Sequence, residues 1–149
     1  MAKSVAIVTG ASQGIGRATA LRLARDFSAL ALVARNRDHL EETAKSVTAA
    51  GAQALVIDVE LRHADAAQLV VDRSLAAFGR VDALLNIAGG VPQIDLFEMT
   101  DAQWEDGLAL KLHGARRLTI AAWAALKATK GAVVPWTAIS TIARLGLSA

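Results

Sequence analysis

Eight residues, Thr9–Gly16 (TGASQGIG), carry three glycines and two hydroxyl side chains, and they follow directly on the apolar run VAIV at residues 5–8. A backbone this bare, at the point where a strand gives way to a helix, suits anion binding. The free N–H groups of the first helical turn point at the ligand, and the positive end of the helix dipole adds roughly 0.3–2 kcal/mol. The three glycines serve different ends. Gly10 permits the tight turn out of the strand, Gly14 lets backbone approach paired phosphates, and Gly16 lets the helix pack closely. Arg17 follows Gly16 and the Gly10–Gly14 interval is short, which disfavours the G-x-x-x-x-G-K-[ST] loop of NTPases. The guest that fits is a dinucleotide held by its pyrophosphate. A tight turn that holds nothing is the plainer alternative.

About twenty positions beyond such a turn, at the end of the second strand, stands the residue that reads the adenosine ribose. Here it is Arg35, with Arg37 close by. A carboxylate there would accept a hydrogen bond from the ribose 2′-hydroxyl, whereas a guanidinium attracts a 2′-phosphate. The expected coenzyme is therefore NADP, with NAD second. The alternative is a solvated loop arginine paired with Asp38.

Composition narrows the remaining classes. The 149 residues, 54% of them hydrophobic, are enough for one compact domain. Sixteen basic residues against fourteen acidic ones leave a formal charge of +2; without a lysine-arginine block, a nucleic-acid partner is not expected. There is no cysteine, and His39, His63 and His113 are scattered, so neither disulfides nor a metal site are expected. The start MAKSVAIVTG lacks the form of a signal peptide, and charges interrupt the longer apolar stretches. The expectation is a cytoplasmic protein with no membrane segment.

The elements that must position the glycine turn alternate in type. Near-continuous apolar strands are expected at Val5–Thr9, Leu30–Ala34, Ala54–Ile57, Ala83–Ile87 and from Ala132 to about Ile139, as in a parallel sheet covered on both faces. Helices fill the gaps: one from near Ile15, one carrying Leu40, Ala44 and Val47, one over about Ala64–Phe78. A longer fourth begins at a capping box of Thr100 and Gln103 and runs to about Ala128, with Trp104, Leu108 and Ala115 expected to face the sheet. The fold class is α/β, a Rossmann-like doubly wound parallel sheet in three αβα layers, as a single domain over residues 1–149.

TGASQGIG, followed by Asp58-Val59 and by the NIAG of residues 86–89, resembles the short-chain dehydrogenase/reductase family in motif order and spacing. The resemblance implies an oxidoreductase that moves hydride between a nicotinamide coenzyme and an alcohol or carbonyl substrate. It implies coenzyme contacts from Gly10, Ser12, Gln13, Gly14, Ile15, Gly16, Asp58, Val59, Asn86, Ala88 and Gly89. Where the family usually has a second asparagine, this chain has Ile87. A scaffold role also stays open: Asp58 could cap the third strand, and Asn86 could tie adjacent strands through its amide.

The family's proton chemistry uses a tyrosine, a lysine four residues later and a serine that orients the carbonyl. This chain contains no tyrosine, and it resembles the first three-fifths of a family member, a sheet truncated after the fifth strand. The family's serine position falls on Ala138, after Thr137, and Ser140 is the nearest serine; it is a candidate for substrate contact or merely a hydroxyl ending a strand. The helix asparagine of the family's proton relay aligns with Lys111, a candidate relay group or a lysine that snorkels outward along apolar surface. The catalytic candidates are thus Ser140 and Lys111. Without the Tyr-Lys pair, the alternative function is a catalytically inactive NADP-binding or interaction module. A bare edge at strand five and an uncovered fourth helix lead to an expected homo-oligomer.

Overall fold

The computed structural model describes residues 2–90 and 94–135. Its strands are β1 (Val5–Thr9), β2 (Ala29–Ala34), β3 (Gln53–Asp58), β4 (Ala83–Asn86) and β5 (Ala132–Pro135). The helices are α1 (Gly14–Leu23), α2 (Arg37–Ala49), α3 (Ala66–Phe78), α4 (Asp101–Leu108) and α5 (Ala115–Thr129). The five strands pair in parallel in the order β3-β2-β1-β4-β5. This is the expected doubly wound sheet. The expected continuation of the fifth strand to Ile139 lies outside the described residues, as do Thr137, Ala138 and Ser140.

β1 is the centre of the sheet, and every one of its residues is buried. Its side chains alternate between two cores because successive strand residues point to opposite faces. Ile7 joins Val33, Ile57 and Leu84 beneath α3 and α5, while Ala6 and Val8 join Leu30, Leu32 and Leu85 beneath α1 and α2. Helices therefore cover both faces, and the apolar runs are continuous for that reason. β3 and β5 lie at the outside and are more open, with Val134 of β5 46% exposed.

The capping box is present: Thr100 Oγ1 accepts from the Gln103 amide at 3.3 Å, and Gln103 Oε1 accepts from the Thr100 amide at 2.9 Å. The helix that follows departs from the expectation. Between α4 and α5 the chain passes through a π-helical stretch, Ala109–Gly114. Its i→i+5 bonding adds a residue to the turn and shifts the phase of every later side chain. The face turned to the sheet is consequently Gly114, Leu118, Ala122 and Leu126. The stripe expected from a steady 3.6-residue period, Trp104, Leu108 and Ala115, is displaced; Trp104 is 51% exposed and α4 buries no residue.

One polar latch joins the central strands at their N-terminal ends. Asp82, just before β4, accepts the Val5 amide on Oδ2 at 2.8 Å, and its own amide donates to Val5 O at 2.8 Å. Arg80 grips the same carboxylate through Nε at 2.9 Å and Nη2 at 2.5 Å. Partial burial penalises the Asp82 carboxylate, but the hydrogen bonds from Arg80 and Val5 and the guanidinium's charge together outweigh it, holding its pKa below the ordinary carboxylate value. Asp82→Ala is expected to cost about 1.5–3 kcal/mol in urea unfolding at neutral pH. A depressed folded pKa means that the carboxylate's contribution is complete above the ordinary carboxylate range and is lost as pH falls through the folded value. The gap between wild type and variant should therefore shrink below about pH 4; a gap that stays constant into acid would show that the ionised latch is not its source.

Candidate functional site

The strand order reverses between β1 and β4, because β2 lies on one side of β1 and β4 on the other. In open α/β sheets, the carboxyl ends of the two strands at such a point border the ligand crevice. Thr9 ends β1 at this point. Its Oγ1 accepts the amides of Ile87 and Ala88, each at 2.9 Å, and donates to Leu85 O at 3.2 Å. The turn leaving β1 and the turn leaving β4 are thus stitched together by one buried hydroxyl.

Gly10 continues the junction at φ +69°, and a β-carbon there would stand 3.1 Å from the backbone of Ala88. At residue 16 a β-carbon would lie 2.0 Å from the carbonyl oxygen of Gly10. The close packing expected of Gly16 is therefore against the glycine turn itself. Gly14 adopts φ +53° with nothing near its missing β-carbon, so bare backbone faces open space. Gln13, the residue before α1, is extended and makes no side-chain cap, and the first turn of α1 contains no acidic residue. The positive end of this helix is left to whatever enters the cleft. From the other side Thr43 Oγ1 donates to Ala11 O at 3.0 Å and anchors the loop to α2.

The cleft over this turn has a volume of about 500 Å³. Gly10, Ser12, Gln13, Gly14, Ile15 and Gly16 line it, with Arg35, Val59, Ala88, Gly89 and Lys111 from other elements. Sequence reasoning did not single out Asn36, His39, Glu60, Leu61 and Leu110, which also line it. The alternation of strand and helix could have found Glu60 and Leu61, since they follow β3 just as Arg35 follows β2. Thr9 was missed as well, although a hydroxyl opening the glycine turn was visible in the motif.

Two expected contact residues stand apart from the cleft lining. Asp58 ends β3 and pairs with Arg37 Nη1 at 3.2 Å. Asn86 is buried, and its Nδ2 donates to Thr119 Oγ1 at 3.1 Å, so it ties β4 to α5 and not to an adjacent strand. Arg37, expected to assist Arg35, is engaged with Asp58 and Glu41. Arg35 lies at the rim, but its ion pair is with Glu60 at 3.4 Å and not with Asp38. Lys111 occupies the π-helical stretch, is half-buried and lays its methylene stem along Gly89, where a β-carbon would stand 3.2 Å from Lys111 Cε. Its stem thus borders the cleft. Among the described residues, no group of His, Asp and Glu could hold a metal ion, and no helix is long and apolar enough to cross a membrane.

The sequence profile of the short chain dehydrogenase family matches residues 4–146. The chain belongs to this family. It is 37% identical over 119 residues to the short-chain reductase protein NovJ of Streptomyces niveus, covering 80% of this chain and 45% of that protein. In three dimensions it is similar to an alcohol dehydrogenase from the archaeon Thermococcus sibiricus complexed with 5-hydroxy-NADP, with TM-score 0.82 and 34% identity over 87% of this chain and 56% of the other. An NAD+-bound xylitol dehydrogenase matches with TM-score 0.82 and 30% identity, over 87% of this chain and 51% of that one. The chain spans about half the length of the curated relatives it matches.

Removing the Thr9 hydroxyl while keeping its shape isolates the stitch between the two turns. Thr9→Val leaves the Ala88 amide without its acceptor and the Ile87 amide with Leu85 O alone at 3.1 Å, at an expected cost of about 1–3 kcal/mol in chemical unfolding. A variant as stable as wild type would show that the junction holds without the hydroxyl.

Proposed function

We propose that this chain is the coenzyme-binding part of an NADP-preferring oxidoreductase that transfers hydride between the nicotinamide and an alcohol or carbonyl substrate. One observation carries the reading: the uncapped N-terminus of α1, with no acidic residue in its first turn, opens into the cleft at the point where the strand order reverses. The residues present fit a dinucleotide. The amides of Gly14, Ile15 and Gly16 would hold the pyrophosphate, aided by Ser12 and Gln13, and Gly14 offers no side chain to obstruct it. Arg35 at the rim would take a 2′-phosphate by a charge-assisted hydrogen bond. Val59 would border the adenine, and Ala88 and Gly89 the nicotinamide end; Asp58 and Asn86 would support the same contacts from behind, through Arg37 and Thr119.

When bound, the coenzyme supplies the hydride donor or acceptor. The chain's own residues orient it, exclude water along the apolar wall of Leu61, Ile87 and Leu110, and place the stem of Lys111 beside Gly89. Lys111 is the group within the cleft positioned to hold or pass a proton, with Ser140 retained as a candidate for substrate contact. The apolar residues exposed on α4, α5 and the stretch between them, Trp104, Leu112, Ile120 and Trp123, support self-association into a homo-oligomer. The assignment to the cytoplasm rests on the sequence alone.

A second reading, a coenzyme-binding module without turnover, is favoured by a specific fact: none of the 149 residues is tyrosine. NADPH titration followed by NADPH oxidation with a panel of ketones and aldehydes separates the two. Binding with oxidation supports the oxidoreductase, binding without oxidation supports the module, and no binding by folded chain overturns both. For the adenosine end, Arg35→Asp is expected to lower the NADPH-to-NADH affinity ratio at least about tenfold. An unchanged ratio removes Arg35 as the phosphate reader.

A further inference from the structure

Arg35 is not alone at the rim. Its Nη1 lies 3.4 Å from Glu60 Oε2, and both residues line the cleft. The partners are unequally held: the Arg35 side chain is 68% exposed and that of Glu60 23%. Glu60 is fixed through both carboxylate oxygens. The Arg62 amide donates to Oε1 at 3.1 Å, and Arg62 Nη1 donates to Oε2 at 3.1 Å. Arg62 is in turn restrained, since its Nη2 donates to Asp106 Oδ2 at 3.3 Å and its carbonyl accepts from Arg117 Nη1 at 3.2 Å. An anchored negative charge therefore stands beside a largely exposed positive one.

We propose that Glu60 is a specificity-determining residue that weakens the preference for NADP: its anchored carboxylate occupies Arg35, and a 2′-phosphate must compete with it for the guanidinium. This inference rests on the coenzyme reading above and refines it. The anchoring decides the direction. A carboxylate free to swing away would leave Arg35 to the phosphate, but one tied by an amide and a second guanidinium stays and repels the incoming dianion. A 2′-hydroxyl carries no charge, so NAD(H) does not meet this opposition. The rim thus holds a cation that favours NADP and an anion that limits the advantage.

Calorimetric titration of the full chain with NADPH and with NADH, for wild type and Glu60→Gln, tests this. The amide keeps the shape and removes the charge. NADPH should bind about tenfold more tightly to the variant, while NADH affinity stays within about twofold and reports an intact cleft. The gain should fade between about 0.1 M and about 1 M salt as screening grows. An unchanged or weaker NADPH affinity overturns the proposal, as does a ratio that rises only because NADH binding is lost. Should Glu60→Gln not fold, Glu60→Ala carries the same expectation. Wild-type protein that is folded and binds neither coenzyme refutes the coenzyme reading itself, and this inference with it. Wild type that binds, with an affinity ratio unmoved by the variant, refutes this inference alone.

Discussion

The approach of helix α1 to the turn that precedes it is the constraint on which the rest of the site depends. With a β-carbon at residue 16 only 2.0 Å from the Gly10 carbonyl oxygen, no side chain fits there without moving the helix or the turn. That contact sets where α1 begins, and so where its positive end points. The Thr9 hydroxyl then fixes the same turn to the end of β4, through two accepted amides and one donated hydrogen bond. Helix start and the joining of the β1 and β4 turns follow from a junction of a few residues, most of them in or beside the glycine motif. The cleft is built from backbone more than from side chains at this end, which is why the motif is spelled in glycine.

The rim has a different character. Its groups are charged and partly solvated, and they sit where β2 and β3 end side by side; Ala34 pairs with Asp58 in register, so the residues following each strand emerge next to one another. Arg37 turns to Asp58, and Arg35 to Glu60. Exposed ion pairs of this kind contribute little to stability, yet they decide which charges an entering ligand finds available. The floor of the cleft is set by packing, and the selectivity proposed for it by a balance of opposite charges at the rim.

Much of this architecture was legible in the sequence because buried parallel strands announce themselves as apolar runs. β1 has the limits expected of it, β2, β3 and β4 lie within one residue of theirs, and β5 starts at the expected Ala132. The capping box fixed the start of α4. What periodicity could not give was the π-helical stretch after it, since a 3.6-residue template assumes that no turn carries an extra residue. That one departure moved the apolar face from Trp104 and Ala115 to Gly114, Leu118, Ala122 and Leu126. The rim pairs were also hidden. Asp38 is close to Arg35 along the chain, whereas Glu60 is close only once β3 lies against β2. The position of Ser140 lies outside the described residues.

The most direct test of the central claim, that the first-turn amides of α1 cradle paired phosphates, is backbone amide NMR of the folded chain during NADPH addition. The account predicts that the largest shifts fall on Gly14, Ile15 and Gly16, with smaller ones at Ala88 and Gly89. Saturating coenzyme that leaves those three amides unmoved in a well-dispersed spectrum would contradict it.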